Sequence, residues 1–124
     1  MPKFDAAEPP KQWKTDQGNL YLIKKSKKNP NDVDIEMKVD KIGISNGLEW
    51  SLNDKIMYYI DSPTLKVNAF DFDSDTGTIK NLRTCFDLKS NGVKGFPDGM
   101  TICELGHLWV ACFGGSQVSG KFKF

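Results

Sequence analysis

The sequence predicts an all-β fold, a partial β-propeller of about two and a half four-stranded antiparallel blades. Three observations predict it. Short strands rich in Tyr, Ile, Val and Phe alternate with clusters of Asn, Asp, Gly and Pro at intervals of about ten residues. No stretch sustains the i, i+3, i+4 apolar stripe of a helix for three turns. The segment from Asn46 to Ile60 reappears as Asp98 to Cys112, an offset of 52 residues, which is in the range of blade-length repeats.

Taken in order, residues 1–17 carry Pro2, Pro9 and Pro10 among scattered charges with no regular period, so they read as an extended lead-in. Residues 18–124 read as an incomplete propeller domain. Strands are expected at Asn19 to Lys24, Ile35 to Lys41, Lys55 to Asp61, Leu65 to Phe72, Thr78 to Leu88, Met100 to Cys103, His107 to Phe113 and near Gln117. The basic run Lys24 to Lys28, followed by Asn29-Pro30-Asn31-Asp32, fits a solvated hairpin tip. Asp73-Ser74-Asp75-Thr76-Gly77 supplies the turn of a second hairpin, with Asp side chains that bond local backbone and a Gly that accepts positive φ.

Laid over each other without gaps, the two copies place Asn46-Gly47-Leu48 on Asp98-Gly99-Met100, Trp50 on Ile102, Asp54 on Gly106, and Ile56 to Ile60 on Leu108 to Cys112. Leu20 to Ile23 matches Val67 to Phe70, so the chain begins in the second half of a unit. Such a set leaves sheet edges and blade faces open. The chain is therefore expected either to assemble with other chains or to be a piece of a longer parent whose missing blades are its partners.

Lys and Arg number 17 against 16 acidic residues, a net charge of +1, which gives no electrostatic basis for nucleic acid or an anionic membrane surface. The longest strongly apolar run, Ile56 to Ile60, is far short of a membrane span or a signal-peptide core. Cys85, Cys103 and Cys112 are odd in number and widely spaced, as expected for reduced thiols in a cytoplasmic protein.

Asn46 and Asp98 occupy equivalent positions of neighbouring units, where propeller side chains converge on a central channel. An amide oxygen and a carboxylate are hard donors suited to Ca²⁺, Mg²⁺ or Mn²⁺. Two ligands are too few, so at least one more carboxylate is needed. By spacing alone, the Asn-Gly and Asp-Gly pairs fit tight turns better than they fit a metal site. The run from Asp71 to Gly77 imitates an EF-hand start, but its Gly is one place late and Leu82 stands where a bidentate Glu is needed. Cys103, His107 and Cys112 do not have the spacing of a zinc site. Trp50 and Trp109 read as blade-packing residues.

Ser45-Asn46-Gly47-Leu48-Glu49-Trp50-Ser51, Tyr58-Tyr59-Ile60-Asp61-Ser62, Ala69-Phe70-Asp71-Phe72-Asp73, Pro97-Asp98-Gly99-Met100 and Leu108-Trp109-Val110-Ala111 together resemble the regucalcin and gluconolactonase family. That family includes senescence marker protein and the luciferin-regenerating proteins. The resemblance implies a six-bladed propeller with one divalent metal in its channel, Ca²⁺ first, with Zn²⁺, Mn²⁺ or Mg²⁺ as alternatives. It also implies hydrolysis of sugar-acid lactones. By position, Asn46 and Asp98 match family metal ligands, and Asp98 matches the proton acceptor and donor. Glu8 is the nearest match to a substrate-side glutamate. The family's first-blade metal-binding glutamate has no counterpart in this sequence. Two other readings remain open: a non-catalytic calcium-binding regulator, and a structural or interaction module in which Asn46 and Asp98 only form turns.

Overall fold

The computed structural model describes residues 15–115 and 117–122; Glu8 and most of the expected lead-in lie outside the described residues. Nine strands form three antiparallel sheets among the described residues. The first sheet is a hairpin of β1 (Gly18–Lys25) and β2 (Val33–Ile42). A complete blade follows, ordered β3 (Ser45–Trp50), β4 (Ile56–Asp61), β5 (Lys66–Asp73) and β6 (Thr78–Asp87), with a 3₁₀ turn at Ser62–Thr64 joining β4 to β5. The third sheet holds β7 (Phe96–Ile102), β8 (Leu108–Phe113) and β9 (Gln117–Phe122). This is part of a β-propeller, as the strand spacing and the repeat predict.

β4 explains why the sequence has its strongest apolar run there. The strand is covered on both faces, so it cannot alternate apolar with polar. Met57 and Tyr59 pack with Ile42 and Phe70 against the first hairpin. Tyr58 and Ile60 pack with Val67 and Ala69 against Leu108 and Val110 of the third sheet. Full burial of a side chain such as Ile60, at 0% exposure, contributes about 1.5–3 kcal/mol of transfer free energy.

The turn from Asp73 to Gly77 forms as expected. Asp75 N–H donates to Asp73 Oδ1 at 3.0 Å, and Gly77 N–H donates to the Asp73 carbonyl at 2.7 Å. Gly77 takes φ of +70°, the left-handed region its missing Cβ permits. Asp71, offered above as the first position of an EF-hand mimic, instead pairs with Arg83 at 2.8 Å and accepts from Asn81 at 2.7 Å.

Three expectations need correction. First, Ser45–Trp50 is a strand that the turn chemistry of Asn46-Gly47 concealed. Neither Gly47 nor Gly99 has positive φ, so these pairs are not the tight turns they resemble. Second, the gapless repeat slips by one residue in its second half. Trp50 opposes Met57, whereas Ile102 opposes Leu108. The connection closed by Ser51 N–H to the Ile56 carbonyl is one residue longer than that closed by Cys103 N–H to the His107 carbonyl. Leu108 therefore corresponds to Met57, and a one-residue slip exchanges the two faces of a strand. Third, Trp50 packs against Phe72 with ring centroids 5.8 Å apart, but Trp109 is 41% exposed and is not packed between blades among the described residues.

Candidate functional site

β3 and β7 are the neighbouring strands of the second and third sheets, and they run side by side. Both ladders are irregular at one place. The β3–β4 register shifts between Ser45 and Leu48, and the β7–β8 register shifts between Pro97 and Met100. Asn46-Gly47 and Asp98-Gly99 fill those two gaps. A ladder irregularity of this kind frees a residue from regular pairing and re-aims its side chain.

Gly47 has a separate duty. A Cβ built there would lie 2.7 Å from Met100 Cβ and 2.8 Å from the Asp98 carbonyl oxygen. The absent side chain lets β3 approach β7 closely enough to bring positions 46 and 98 to one opening. Gly99 has nothing within 4 Å of its built Cβ, so no equivalent constraint acts on the second copy.

Asn46 and Asp98 line one cleft of about 360 Å³, together with Ile44, Ser62, Pro63, Phe96, Pro97 and Phe113. Its walls are largely apolar and the few polar groups converge, as in small-molecule sites. The cleft lies where β3, β7 and the 3₁₀ turn meet. Asn46 donates from Nδ2 to Ser62 Oγ at 3.1 Å, which turns its Oδ1 away from Ser62. Ser62 in turn donates from Oγ to the Pro97 carbonyl at 2.6 Å.

The backbone ahead of Asn46 is held from the same side. Asp61 accepts from Gly43 N–H at 3.2 Å and from Ile44 N–H at 2.9 Å, and Ser62 N–H donates to the Ile44 carbonyl at 3.0 Å. Ser45 Oγ shares a short hydrogen bond with Tyr59 Oη. Burial raises the Tyr59 phenol above its ordinary value; the Ser45 hydrogen bond opposes that and the Asp61 charge adds to it. Asp61 and Ser62 thus shape the site although residue chemistry alone did not single them out. Their signal was the Asp-Ser pair closing the Tyr58 to Ser62 motif.

The donor set fits a hard divalent cation in kind: one neutral amide oxygen and one carboxylate, with no His or Cys in the cleft lining, which disfavours Zn²⁺. In number the set is partial. Among the described residues no three His, Cys, Asp or Glu side chains gather at one point. Cys103 and His107 meet across the β7–β8 turn, while Cys112 is buried at the far end of β8. Among the described residues no helix is long and apolar enough to cross a membrane.

The profile of the SMP-30/Gluconolactonase/LRE-like region matches residues 3–121. Regucalcin of Homo sapiens is 47% identical over 102 residues, covering 82% of this chain and 31% of its own length. A solved luciferin-regenerating enzyme is similar with a TM-score of 0.77 at 40% identity, covering 85% of this chain and 32% of that one. A solved calcium-binding protein, regucalcin from Agrobacterium tumefaciens, is similar with a TM-score of 0.73 at 24% identity over 86% of this chain and 34% of that one, a likeness of fold. The chain thus spans about a third of the length of such relatives.

Proposed function

The chain belongs to the SMP-30/Gluconolactonase/LRE-like family, and on that basis we propose that it supplies two metal-facing side chains of a lactone-hydrolysing propeller. One observation carries the reading: Asn46 and Asp98 sit at the same ladder irregularity of adjacent blades and line one cleft. Asn46 would offer Oδ1 and Asp98 a carboxylate oxygen to Ca²⁺, with the remaining ligands coming from outside this pair. A bound divalent cation supplies Lewis-acid polarisation of the lactone carbonyl. Asp98 takes the proton of the attacking water on a carboxylate oxygen and returns it to the ring oxygen as the acyl–oxygen bond breaks. The apolar walls formed by Ile44, Pro63, Phe96 and Phe113 would seat the carbon face of the sugar acid.

Aldonolactone hydrolysis by this chain, and by a version extended upstream, tests the proposal with Ca²⁺, Mn²⁺ or Zn²⁺ added. The extended protein is expected to turn over, and Asp98→Asn to lose at least about 100-fold. Full activity in Asp98→Asn contradicts the assignment. A second reading draws on the calcium-binding description of the Agrobacterium relative: calcium binding without hydrolysis. Saturable Ca²⁺ binding by an extended protein that turns over no lactone would favour it.

A further inference from the structure

Ser62 is buried at 5% exposure and lies between the two blades at the cleft. Its hydroxyl has one hydrogen to give and lone pairs to receive. The hydrogen goes to the Pro97 carbonyl, 2.6 Å away, and a carbonyl can only accept. Whatever occupies position 46 must therefore donate to Ser62, and Asn46 Nδ2 does so at 3.1 Å. An aspartate could not do this without taking the hydrogen from Pro97. The same two hydrogen bonds run from β3 through the 3₁₀ turn to β7, one residue from Asp98.

We propose that Ser62 is the positioning residue of this site: it fixes the rotation of the Asn46 amide, selects asparagine over aspartate there, and ties that amide to the strand carrying Asp98. The hydrogen-bond relay stands on geometry, while its consequence for metal binding rests on the function proposed above. In the third sheet the position equivalent to Ser62, counted through the one-residue slip, is Phe113, which is 70% exposed and has no hydroxyl. Among the described residues the relay therefore exists once, on the asparagine side.

The test uses the whole chain labelled with ¹⁵N. The Asn46 side-chain amide is expected to give a dispersed, slowly exchanging pair of signals. In Ser62→Ala that pair moves to the position of a free amide while the backbone spectrum stays dispersed, and in Ser62→Thr it is retained. In a version extended upstream, calcium affinity falls about 10-fold or more in Ser62→Ala, as removal of a residue supporting a metal ligand does, and recovers in Ser62→Thr. If Ser62→Ala loses its fold, Ser62→Cys, with similar shape and a weak hydrogen bond, answers the same question. Unchanged Asn46 side-chain signals in a folded Ser62→Ala or Ser62→Cys overturn the proposal. Absent calcium binding by a version extended upstream, with the amide signals behaving as expected, counts against the functional reading alone.

Discussion

The two copies of the repeat share a backbone device but not the support beneath it. In both, an Asn-Gly or Asp-Gly pair interrupts the ladder and turns a polar residue to the cleft. Around Asn46, Asp61 and Ser62 hold the preceding backbone and the side chain by hydrogen bonds. Around Asp98, positions equivalent to Asp61 and Ser62 are Cys112 and Phe113, and among the described residues the carboxylate has no hydrogen-bond partner. The neutral side is locked and the charged side is left adaptable. Under the proposed function, Asp98 would use that freedom to bind a cation and move a proton, whereas Asn46 would gain as a ligand from being fixed in advance.

Burial divides the copies in the same way. Tyr58 is 3% exposed and Ile60 0%, between two covered faces, while Trp109, at the position of Tyr58, is 41% exposed. At the other end Ile23 is 64% exposed where its counterpart Phe70 is 7%. The second sheet is thus the stability centre of the chain. The largest expected effect is accordingly Ile60→Ala, which should cost about 2–5 kcal/mol in urea unfolding, with Trp109→Ala costing less than half as much. Equal costs would break the comparison.

Next in size is the glycine pair. Gly47→Ala drives a methyl into Met100 and the Asp98 carbonyl and should cost about 1–3 kcal/mol. Gly99→Ala meets open space and should change stability by no more than about 0.5 kcal/mol. Matching effects would mean that both glycines serve the same turn geometry, contrary to the close approach seen at Gly47 and not at Gly99.

The thiols sharpen the comparison with the smallest effect. Cys85, on β6, packs against the core between the second and third sheets, and burial pushes its thiol up to about 12, with the Arg83 charge opposing. At Cys103, burial works to raise the thiol, but hydrogen bonds from the turn backbone at His107 and Leu105 outweigh it and hold the value below the ordinary 9.0. Iodoacetamide at pH 8 should modify Cys103 well before Cys85. A folded-state value above the unfolded one means stability contributed by Cys85 is present below about pH 9 and is lost as pH rises towards about 12. Stability measured between those limits should fall less steeply in Cys85→Ala than in wild type.

Most of the fold was legible in the residues. Apart from β3, strand positions fall within a few residues of expectation because turn clusters punctuate apolar runs. β3 was concealed because Asn-Gly has the same composition whether it turns a hairpin or interrupts a ladder, and only pairing with β4 decides between them. The slip between the copies was invisible for a related reason: Ile56 and Met57 are both apolar, so composition could not tell which faces the preceding blade. Asn46 and Asp98 were found by their repeat positions, and the structure brings them to one cleft. Ser62 was missed because a serine before proline signals a turn, and its role comes from a carbonyl 35 positions away in sequence.

The central claim is that Asn46 and Asp98 act on one ion. Calcium binding measured by calorimetry on a version extended upstream and on its Asn46→Ala, Asp98→Ala and double variants tests it most directly. Each single change should weaken binding, and the double variant should lose clearly less than the two losses combined, since either ligand depends on the other being in place. Strictly additive losses, or single variants that bind as wild type does, would contradict it.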